Sequence, residues 1–519
     1  MSFDAAPNKR RRRILLGLGA AALILAAAVT VFVLTHGPGD VSNPDVEFRA
    51  DETTPAPATG GDDEARKDKA FLWPLYGYSA DRRRQVDVPR TLRPPFKRKW
   101  FYDGGVLLEF PPVISAKLVF ILGDDGRVAA LDKETGKVRW RRTLGSLAAS
   151  SPALDGDRLY LTVLERRGTG RAVALDARTG RQLWARELPS RTESSPVVAA
   201  GAVYFGSENG TVYALRERDG AVRWTFKAAG AVKAGLALKD GKLFFGDYAG
   251  KLYAIRASDG KQVWQAKTKG ASFGFAAGRF YSTPAVAYGR VYIGNVDSYI
   301  YSFSARTGEL AWRTKTNGFV YASPAVGAAP GDKPTVYAGS YDGTFYALDA
   351  RSGSVRWRFS GGSKISGGAT LLGDIVYFAD LGSRRTFGLG ARTGRKVFEF
   401  PRGGYNPVVT DRKTIFLVGY GAMYALEPLS QAKKRKRARR AVQRRRDCVR
   451  QAKRAFTRNG RRRMAFRRCV ERTNASRRPL KDLPSKGRES KPSKPSKPRD
   501  DQIPDSFRDL IDGQKRKQR

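Results

Sequence analysis

The sequence predicts an all-β fold, an eight-bladed β-propeller of four-stranded antiparallel blades, and two observations carry this prediction. First, strand-like segments that end in a large aromatic residue recur at intervals of 40 to 48 residues. The aromatic residues are Trp100, Trp140, Trp184, Trp224, Trp264, Trp312, Trp357 and Phe398. Second, turn signals divide each unit into four short strands. A repeat of this length with four strands is typical of a propeller blade.

The stretch from Ala174 to Trp184 shows how each unit closes. Apolar and polar residues alternate on both sides of the turn, as in a half-buried strand. Asp176 is suited to accept hydrogen bonds from the backbone that follows it, and Gly180 can adopt the positive φ that a tight hairpin requires. A second turn precedes this one in most units, as at Asn209-Gly210, and is a strong hairpin signal. Each unit is therefore predicted to contain four antiparallel strands.

The first and last pieces of the repeat are incomplete and are predicted to complete each other. The strand that ends at Trp100 has no upstream partners, whereas the segment from 407 to 426 supplies three strands without a following aromatic strand. Pairing these pieces gives eight blades and removes an open sheet edge. The predicted propeller domain covers residues 71–428.

The N-terminal region predicts a membrane anchor. Basic residues in 1–13 precede an uncharged apolar run within 14–35, which is long enough to span ~30 Å of hydrocarbon at ~1.5 Å per residue. We expect a cytoplasmic arm, one transmembrane helix and, by the positive-inside rule, all later residues outside the cytoplasm of the cell. A cleaved signal peptide is the alternative, although its apolar region is typically shorter. Residues 36–70, acidic and rich in proline, predict a disordered linker.

The C-terminal region combines high positive charge with helical spacing. The chain has 96 Lys and Arg against 49 Asp and Glu, a net charge of +47, and much of the excess lies near its end. Apolar residues at helical spacing predict a basic helical hairpin over 429–476, followed by a disordered tail over 477–519 that is rich in Pro, Lys and Ser. Such a hairpin would align Cys448 with Cys469. We expect a disulfide there, with two free thiols as the alternative.

The basic tail predicts a contact with anionic lipid or an anionic wall polymer. A basic residue near an anionic surface contributes ~1 kcal/mol to such binding. The alternative is a solvated helical tail with no specific ligand. Nucleic acid is not expected as a partner, because the predicted topology places the tail outside the cytoplasm.

The composition excludes several kinds of catalytic site. His36 is the only histidine, and both cysteines lie outside the repeats. Triads that need His, zinc sites built from His and Cys, and haem held by His are therefore excluded from the repeat region. We expect no catalytic, cofactor-binding or metal-binding residue. Carboxylate chemistry stays open, but we interpret its candidates, Asp247, Asn295, Asp297 and Asp380, as hairpin residues.

The repeat resembles that of the PQQ-like (pyrroloquinoline-quinone) propeller family. The resemblance rests on Ser195-Pro196 before Val-Tyr-Phe-Gly, then Asn209-Gly210 before Thr-Val-Tyr-Ala-Leu, then a Gly and a Trp, and it covers about 73–426. It implies eight blades with each Trp docked between neighbours. The family contains quinoprotein dehydrogenases and non-catalytic members similar to BamB, a scaffold lipoprotein of the outer-membrane barrel assembly machinery.

The non-catalytic branch agrees better with the sequence. The adjacent cysteines and long roofing insertions of the dehydrogenases are missing from the repeats. The prediction is therefore a membrane-anchored interaction scaffold of the bacterial cell envelope, without a cofactor. A quinone- and calcium-dependent dehydrogenase is the alternative.

Departures from the regular repeat predict where a partner binds. An insertion at 267–282 is rich in aromatic residues, and the hairpin around 165–171 is lengthened. Both belong on one face of a propeller, where aromatic and arginine side chains could anchor an unidentified envelope protein. The alternative is that the aromatic side chains simply pack over a blade. The predicted partner-binding residues are Phe273, Phe275, Phe280, Tyr281, Arg166 and Arg167.

Overall fold

A computed structural model describes residues 40–50, 71–165, 167–268, 278–405 and 407–458. Its strands form eight sheets, each built on four antiparallel strands, which confirms the predicted eight-bladed propeller. The four strands are consecutive in the sequence in every sheet except the closing one. Two of the sheets have one additional strand from the N-terminal part of the chain.

The first four blades follow one another along the chain, and each runs from an innermost to an outermost strand. Blade 1 contains β4 (Val113–Ile114), β5 (Leu118–Leu122), β6 (Arg127–Asp132) and β7 (Val138–Thr143). Blade 2 contains β8 (Ala153–Asp155), β9 (Arg158–Leu164), β10 (Gly170–Asp176) and β11 (Gln182–Leu188). Blade 3 contains β12 (Val197–Ala199), β13 (Ala202–Gly206), β14 (Thr211–Arg216) and β15 (Val222–Lys227). Blade 4 contains β16 (Ala237–Lys239), β17 (Lys242–Gly246), β18 (Lys251–Arg256) and β19 (Gln262–Lys267).

The other four blades include the two five-stranded sheets and the closing blade. Blade 5 contains β20 (Ala285–Ala287), β21 (Arg290–Gly294), β22 (Tyr299–Ser304), β23 (Leu310–Lys315) and the added β1 (Val41–Ser42). Blade 6 contains β24 (Ala325–Gly327), β25 (Thr335–Gly339), β26 (Thr344–Asp349) and β27 (Val355–Ser360). Blade 7 contains β28 (Thr370–Leu372), β29 (Ile375–Asp380), β30 (Arg385–Gly390), β31 (Lys396–Phe400) and the added β2 (Gln85–Val86). Blade 8 contains β32 (Val409–Thr410), β33 (Ile415–Gly419), β34 (Ala422–Pro428) and β3 (Phe96–Asp103).

Blade 8 closes the propeller as predicted. Its outermost strand, β3, comes from the beginning of the domain and pairs antiparallel with β34 near the end. Trp100 faces Ala425 in this register, and Arg98 faces Leu426. The closure leaves no open edge between the first and last blades, and it ties the sequence ends of the domain together.

The repeated tryptophans connect neighbouring blades. In all seven of them the indole Nε1 donates to a backbone carbonyl of the following blade, at 2.9–3.2 Å. The glycine of the neighbouring turn lies against the ring: a Cβ atom on Gly353 would be 2.7 Å from the Trp312 ring. Gly353 also has φ +76°. The predicted hairpin glycine is therefore required both by its backbone conformation and by the indole that covers it.

The propeller has two faces that differ in their loops. The upper face carries the hairpin between the second and third strands of each blade and the connection to the next blade. The lower face carries the other two hairpins. Strands alternate in direction, so every connection that enters an innermost strand does so at the upper end of the central channel.

A segment at residues 73–86, here called the central segment, lines the inside of this channel. Inner strands have one edge without a neighbouring strand, so their N–H groups need other acceptors. The central segment supplies backbone carbonyl groups to the second inner-strand residue of six blades, at 2.7–2.9 Å. The donor and acceptor pairs are Ile114 and Trp73, Leu154 and Pro74, Leu238 and Ala80, Val286 and Asp81, Val326 and Arg83, and Leu371 and Arg84.

Three consecutive arginines of the central segment, at positions 82 to 84, are fully buried. The Arg82 guanidinium donates to the carbonyl oxygens of Leu236 at 2.9 Å, Pro196 at 3.0 Å and Ser195 at 3.2 Å, and also to that of Tyr76. Burial, and then the positive charge of a neighbouring arginine, lowers the pKa of Arg82 to about 9. Arg82 therefore joins the central segment to blades 3 and 4.

The other two arginines contact different blades. Arg83 lies over the ring of Tyr288, 4.7 Å from its centroid, and Arg84 lies 4.6 Å over Tyr76. Arg84 also donates to the carbonyl oxygen of Pro324 at 3.2 Å. Together the three side chains connect the central segment to four blades, which makes the segment part of the core.

The predicted disordered linker over 36–70 is wrong for residues 40–50. β1 pairs antiparallel with β23, and Arg290 donates to the backbone carbonyl of Glu47 at 2.9 Å. Phe48 packs against Tyr288, with ring centroids 5.7 Å apart. Few apolar residues occur in this stretch, but hydrogen bonds to blade 5 fix its backbone. The remaining linker residues lie outside the described ranges.

The C-terminal prediction is confirmed for its first helix. α1 (Leu429–Arg458) follows β34 directly, and the Leu429 N–H donates to the Pro95 carbonyl at 2.9 Å. The rest of the predicted hairpin, the tail, Cys469 and the predicted transmembrane residues 14–35 lie outside the described residues, so the proposed disulfide stays a prediction. No helix among the described residues is long and apolar enough to cross a membrane.

Candidate functional site

Eight equivalent positions surround the upper end of the channel. In every blade, the first residue of the innermost strand pairs with an aromatic residue of the second strand, which fixes the alignment of the repeats. The position four residues earlier lies in the connection that enters the blade. We call these positions the mouth ring. Its residues are Glu109, Ala149, Glu193, Lys233, Tyr281, Tyr321, Ser366 and Tyr405.

Hairpin residues lie beside the mouth ring and are fixed to it by the backbone. One residue of the hairpin between the second and third strands donates its backbone N–H to a carbonyl of the connection that enters the blade. That carbonyl belongs to the residue two positions before the mouth-ring residue, and the N···O distances are 2.9–3.2 Å. Seven blades share this bond in the described chain. The hairpin residues are Asp124, Glu208, Tyr248, Val296, Tyr341, Leu381 and Tyr420. The framework is thus repeated, whereas the side chains that it presents differ from blade to blade.

Blades 1, 3 and 4 present charged side chains. The ammonium Nζ of Lys233 lies 2.9 Å from Glu193 Oε1 and 3.0 Å from Glu208 Oε1. Burial alone would lower the pKa of Lys233, but the carboxylate of Glu193 and then that of Glu208 raise it above its ordinary value. Burial raises the pKa of Glu193, and the ion pair with Lys233 opposes this effect. The single ammonium group of Lys233 therefore forms ion pairs with two carboxylates.

Glu109 is the carboxyl group of the ring without such a partner. It is half-buried and makes no hydrogen bond or ion pair to any residue that the structure describes. Burial, and then the negative charges of Glu193 and Asp124, raises the pKa of Glu109 to about 8. A carboxyl group perturbed in this way by burial and like charges is typical of functional sites.

Blades 4 to 6 present a continuous row of tyrosines. The ring centroids are 4.8 Å apart for Tyr248 and Tyr281, 5.1 Å for Tyr281 and Tyr321, and 4.5 Å for Tyr321 and Tyr341. Tyr321 is only 8% exposed, and its hydroxyl group makes no hydrogen bond within the described chain. These spacings are those of packed aromatic pairs. The row forms a rigid aromatic wall with hydroxyl groups.

The charged side and the tyrosine side face each other across the mouth. Burial raises the pKa of Tyr341 to about 12, and the ionised forms of Tyr281 and Glu109 would contribute to the increase. Burial and then the charge of Glu109 likewise raise the pKa of Tyr405 above its ordinary value. Glu109 therefore lies within electrostatic range of tyrosines from blades 6 and 8.

The central segment forms the floor of this site. The Tyr76 hydroxyl donates to Ser323 Oγ at 3.2 Å, two residues after a ring position, and its ring meets Phe110 edge-on at 6.1 Å. Ser323 Oγ in turn accepts the backbone N–H of Thr283 at 3.0 Å. Polar groups of neighbouring blades and the central segment thus meet directly below the mouth ring.

The residues predicted from sequence to bind a partner have different positions. Arg166, Phe273 and Phe275 lie outside the described residues. Phe280 is fully buried in the core shared by blades 4 and 5, since a Cβ atom on Gly246 would be 2.4 Å from its side chain, so it does not form part of an exposed rim. Arg167 is exposed at its hairpin. Tyr281 belongs to the mouth ring.

Sequence reasoning missed the other ring residues. The sequence signal for these residues is one position of each repeat, four residues before the first residue of the inner strand. The residue type at that position varies from blade to blade. Aligning the repeats on the second-strand aromatic residue would have exposed this variation.

The four isolated polar residues named from sequence serve their own hairpins. Asp247 accepts the Lys251 N–H at 2.9 Å, and Asn295 accepts the Asp297 N–H at 2.9 Å. Similar bonds reach the side chains of Asp297, from the Tyr301 hydroxyl at 2.6 Å, and Asp380, from the Ser383 N–H at 2.9 Å. The interpretation of these residues as turn residues is confirmed.

The described residues do not fit a calcium and quinone site. They include no group of three or more His, Cys, Asp and Glu side chains arranged to hold a metal ion. At the mouth, the ammonium group of Lys233 already lies where it neutralises Glu193 and Glu208. Glu193 and Glu208 are thus paired with a lysine and the four hairpin residues bond within their own turns, so calcium would have to compete for these oxygen ligands.

Comparisons with known proteins identify relatives of this propeller. A family model described as "Outer membrane protein assembly factor BamB" matches residues 96–225, 161–295 and 208–437. No curated protein matches the sequence. Among solved structures, BamB from Moraxella catarrhalis is 17% identical, with a TM-score of 0.53, and the match covers 64% of this chain and 99% of that one.

Two oxidoreductases share the fold. Quinohemoprotein alcohol dehydrogenase ADHIIG from Pseudomonas putida HK5 is 14% identical, with a TM-score of 0.61, over 72% of this chain and 83% of its own. A europium-containing methanol dehydrogenase is 12% identical, with a TM-score of 0.59, over 69% and 98%. At these identities the likeness shows the fold and leaves the activity open.

Proposed function

Since this chain belongs to the PQQ-like propeller family described as the outer membrane protein assembly factor BamB, we propose that it is a non-catalytic protein-interaction scaffold of the bacterial cell envelope. The observation that carries this proposal is the mouth of the channel, where a regular framework presents eight side chains of five residue types above a floor made by the central segment. Lys233 pairs with Glu193 and Glu208, Glu109 has no ion-pair partner among the described residues, and three tyrosines line much of the remainder. Such a surface is suited to recognition.

The upper face is the proposed docking face. It holds the mouth ring and the exposed Arg167, whereas Phe273 and Phe275, which lie outside the described residues, belong to this face by prediction from the sequence alone. Tyrosine and arginine are enriched among the residues that dominate binding energy at protein interfaces. The proposed partner is a segment of another envelope protein that lies across the tyrosine row.

The flanking regions are proposed to place the propeller at the membrane. Residues 14–35 anchor the chain with its N-terminus in the cytoplasm, so that the propeller lies outside. The basic residues of α1 and of the tail beyond it then bind anionic lipid or wall polymer. The charge supports this part of the proposal: α1 is 30 residues long and has no acidic residue in its first turn.

The alternative is a quinone- and calcium-dependent dehydrogenase, which the shared fold of the two oxidoreductases brings into consideration. Reconstitution with pyrroloquinoline quinone and calcium, followed by dye reduction with alcohols and sugars, separates the two functions. We expect no turnover above that of the free quinone, because the described residues include no group of three or more His, Cys, Asp and Glu side chains arranged to hold a metal ion. Sustained turnover that is lost in an Asp297→Ala variant, and kept in an Asp259→Ala variant at an exposed turn, would establish the dehydrogenase instead.

A further inference from the structure

We propose that the mouth ring binds a protonated amine or a guanidinium group, with Glu109 as the ion-pair partner and the facing tyrosines as the wall of the site. This inference goes beyond the scaffold function because it names the chemistry that the site selects. The proposed ligand is an organic cation rather than a metal ion. Hydrogen bonds and aromatic ring faces are sufficient to bind such a cation.

The distribution of charge favours a cation. Glu193 and Glu208 share Lys233, so with both carboxyl groups ionised that group of three has one negative charge in excess. Glu109 faces the carboxyl groups of Glu193 and Asp124 and also the ammonium group of Lys233, but within the described chain no cation forms an ion pair with it. An ammonium or guanidinium group next to Glu109 would supply the missing positive charge in a half-buried site, where ion pairs are screened less than at an open surface.

The tyrosine wall offers the remaining contacts. The Tyr321 side chain is nine-tenths buried between Tyr281 and Tyr341, and its hydroxyl group has no hydrogen-bond partner in the described chain. Burial raises the pKa of Tyr321 above its ordinary value, so its hydroxyl group stays protonated between the rings of Tyr281 and Tyr341. Hydroxyl oxygens accept hydrogen bonds from ammonium groups, and the ring faces attract cations.

Two rings of the tyrosine row already have cations of this chain near them. Arg279 lies 5.7 Å from the centroid of Tyr248, and Lys364 Nζ lies 5.5 Å from that of Tyr341. These side chains show that the tyrosines are accessible to cations. They do not reach Glu109 in an ion pair, so the carboxyl group stays available to a ligand.

The amine can come from two sources. One is a Lys or Arg side chain of the proposed partner segment, in which case the inference rests on the scaffold function. The other is a free polyamine. A test with isolated probes needs no partner, so the amine site and the scaffold function can fail separately.

The experiment is isothermal titration of the full-length protein in detergent at pH 7. The probes are a lysine-containing pentapeptide blocked at both ends, the same peptide with its lysine acetylated, spermidine and calcium chloride. We expect binding of the unmodified peptide or of spermidine and none of the acetylated peptide. Glu109→Gln should weaken binding by about tenfold or more. Glu187→Gln, at an exposed position on β11, is the matched control and should leave it unchanged.

Proton release provides a second readout that a merely structural role would not produce. The pKa of Glu109 is raised to about 8, so most of this carboxyl group is protonated at pH 7 in the free protein. A bound cation favours the ionised form, and binding should release close to one proton. The release should vanish above about pH 9 and in Glu109→Gln. Tyr321→Phe, which removes only the hydroxyl group, should also weaken binding.

The proposal would be overturned by three results. These are no binding of any amine probe, equal amine affinity in Glu109→Gln and the wild type, and binding without proton release at pH 7. Calcium binding that is lost in Glu109→Gln, without amine binding, would likewise replace it with a metal site. Spermidine binding without peptide binding identifies the free polyamine as the source, and peptide binding identifies a partner side chain.

Discussion

Replacing Arg82 by alanine is expected to lower the free energy of unfolding by ~4 kcal/mol or more, the largest effect of any single substitution considered for this chain. The guanidinium makes four hydrogen bonds to backbone carbonyl groups of blades 3 and 4 and of the central segment. Alanine removes all of them and leaves buried acceptors without donors, which costs about 1–3 kcal/mol for each such group.

Urea unfolding followed by tryptophan fluorescence measures this loss. Arg82→Lys should recover only part of the stability, because one ammonium group cannot reach acceptors in three directions. Arg181→Ala, at an exposed hairpin position, is the control and should change the free energy of unfolding by less than about 0.5 kcal/mol. A loss below ~1 kcal/mol in Arg82→Ala would show that the central segment does not depend on this side chain.

Trp312→Ala is expected to cost ~3–5 kcal/mol of unfolding free energy. Trp312 is fully buried, and its Nε1 donates to the Ala350 carbonyl at 3.0 Å. The substitution creates a cavity between blades 5 and 6 and removes that hydrogen bond. Trp224 makes the equivalent bond to Ala257, also at 3.0 Å, but its side chain is only half-buried.

The comparison of these two variants tests whether burial sets the cost. Trp224→Ala should lose less stability than Trp312→Ala in the same urea titration, because less apolar area returns to water. Equal losses would mean that the shared hydrogen bond, rather than the packing of the ring, determines the contribution of each tryptophan.

The blades were predictable because their determinants are local and repeated. Trp184 and Gly180 lie in one hairpin, and the same pair of residue types recurs at the same spacing along the chain. The closure through Trp100 was predictable because the first and last segments of the repeat are each incomplete and together make one blade. Phe398 keeps the position without an indole N–H, and it packs against Phe96 at 5.3 Å in the closing blade.

The central segment was not predictable in this way. A run such as Arg82 to Arg84 is ordinarily solvated, because burying a guanidinium requires acceptors in every direction. Here the acceptors come from blades that are more than one hundred residues away in sequence. No local pattern records that arrangement. For the same reason β1 was missed, since its partner strand lies in blade 5.

The candidate site was predictable only in part. The sequence indicates Tyr281 because it lies in an insertion, whereas Glu109 and Tyr321 lie in connections of regular length that contain no such signal. Their importance depends on being brought together across the channel by closure of the propeller. The membrane anchor, the function of the basic tail and the disulfide between Cys448 and Cys469 remain predictions.

The measurement that tests the scaffold most directly is affinity capture from detergent-solubilised envelopes with three matched forms of the full-length protein. The wild type should capture a defined envelope protein, and a variant with Tyr321→Ala and Tyr341→Ala on the upper face should lose it while remaining folded. A variant with Phe101→Ala, an aromatic residue that is 49% exposed on the outer strand of blade 8, should capture it as well as the wild type does. Identical sets of captured proteins from all three forms would contradict the assignment of the upper face as the docking surface of a scaffold.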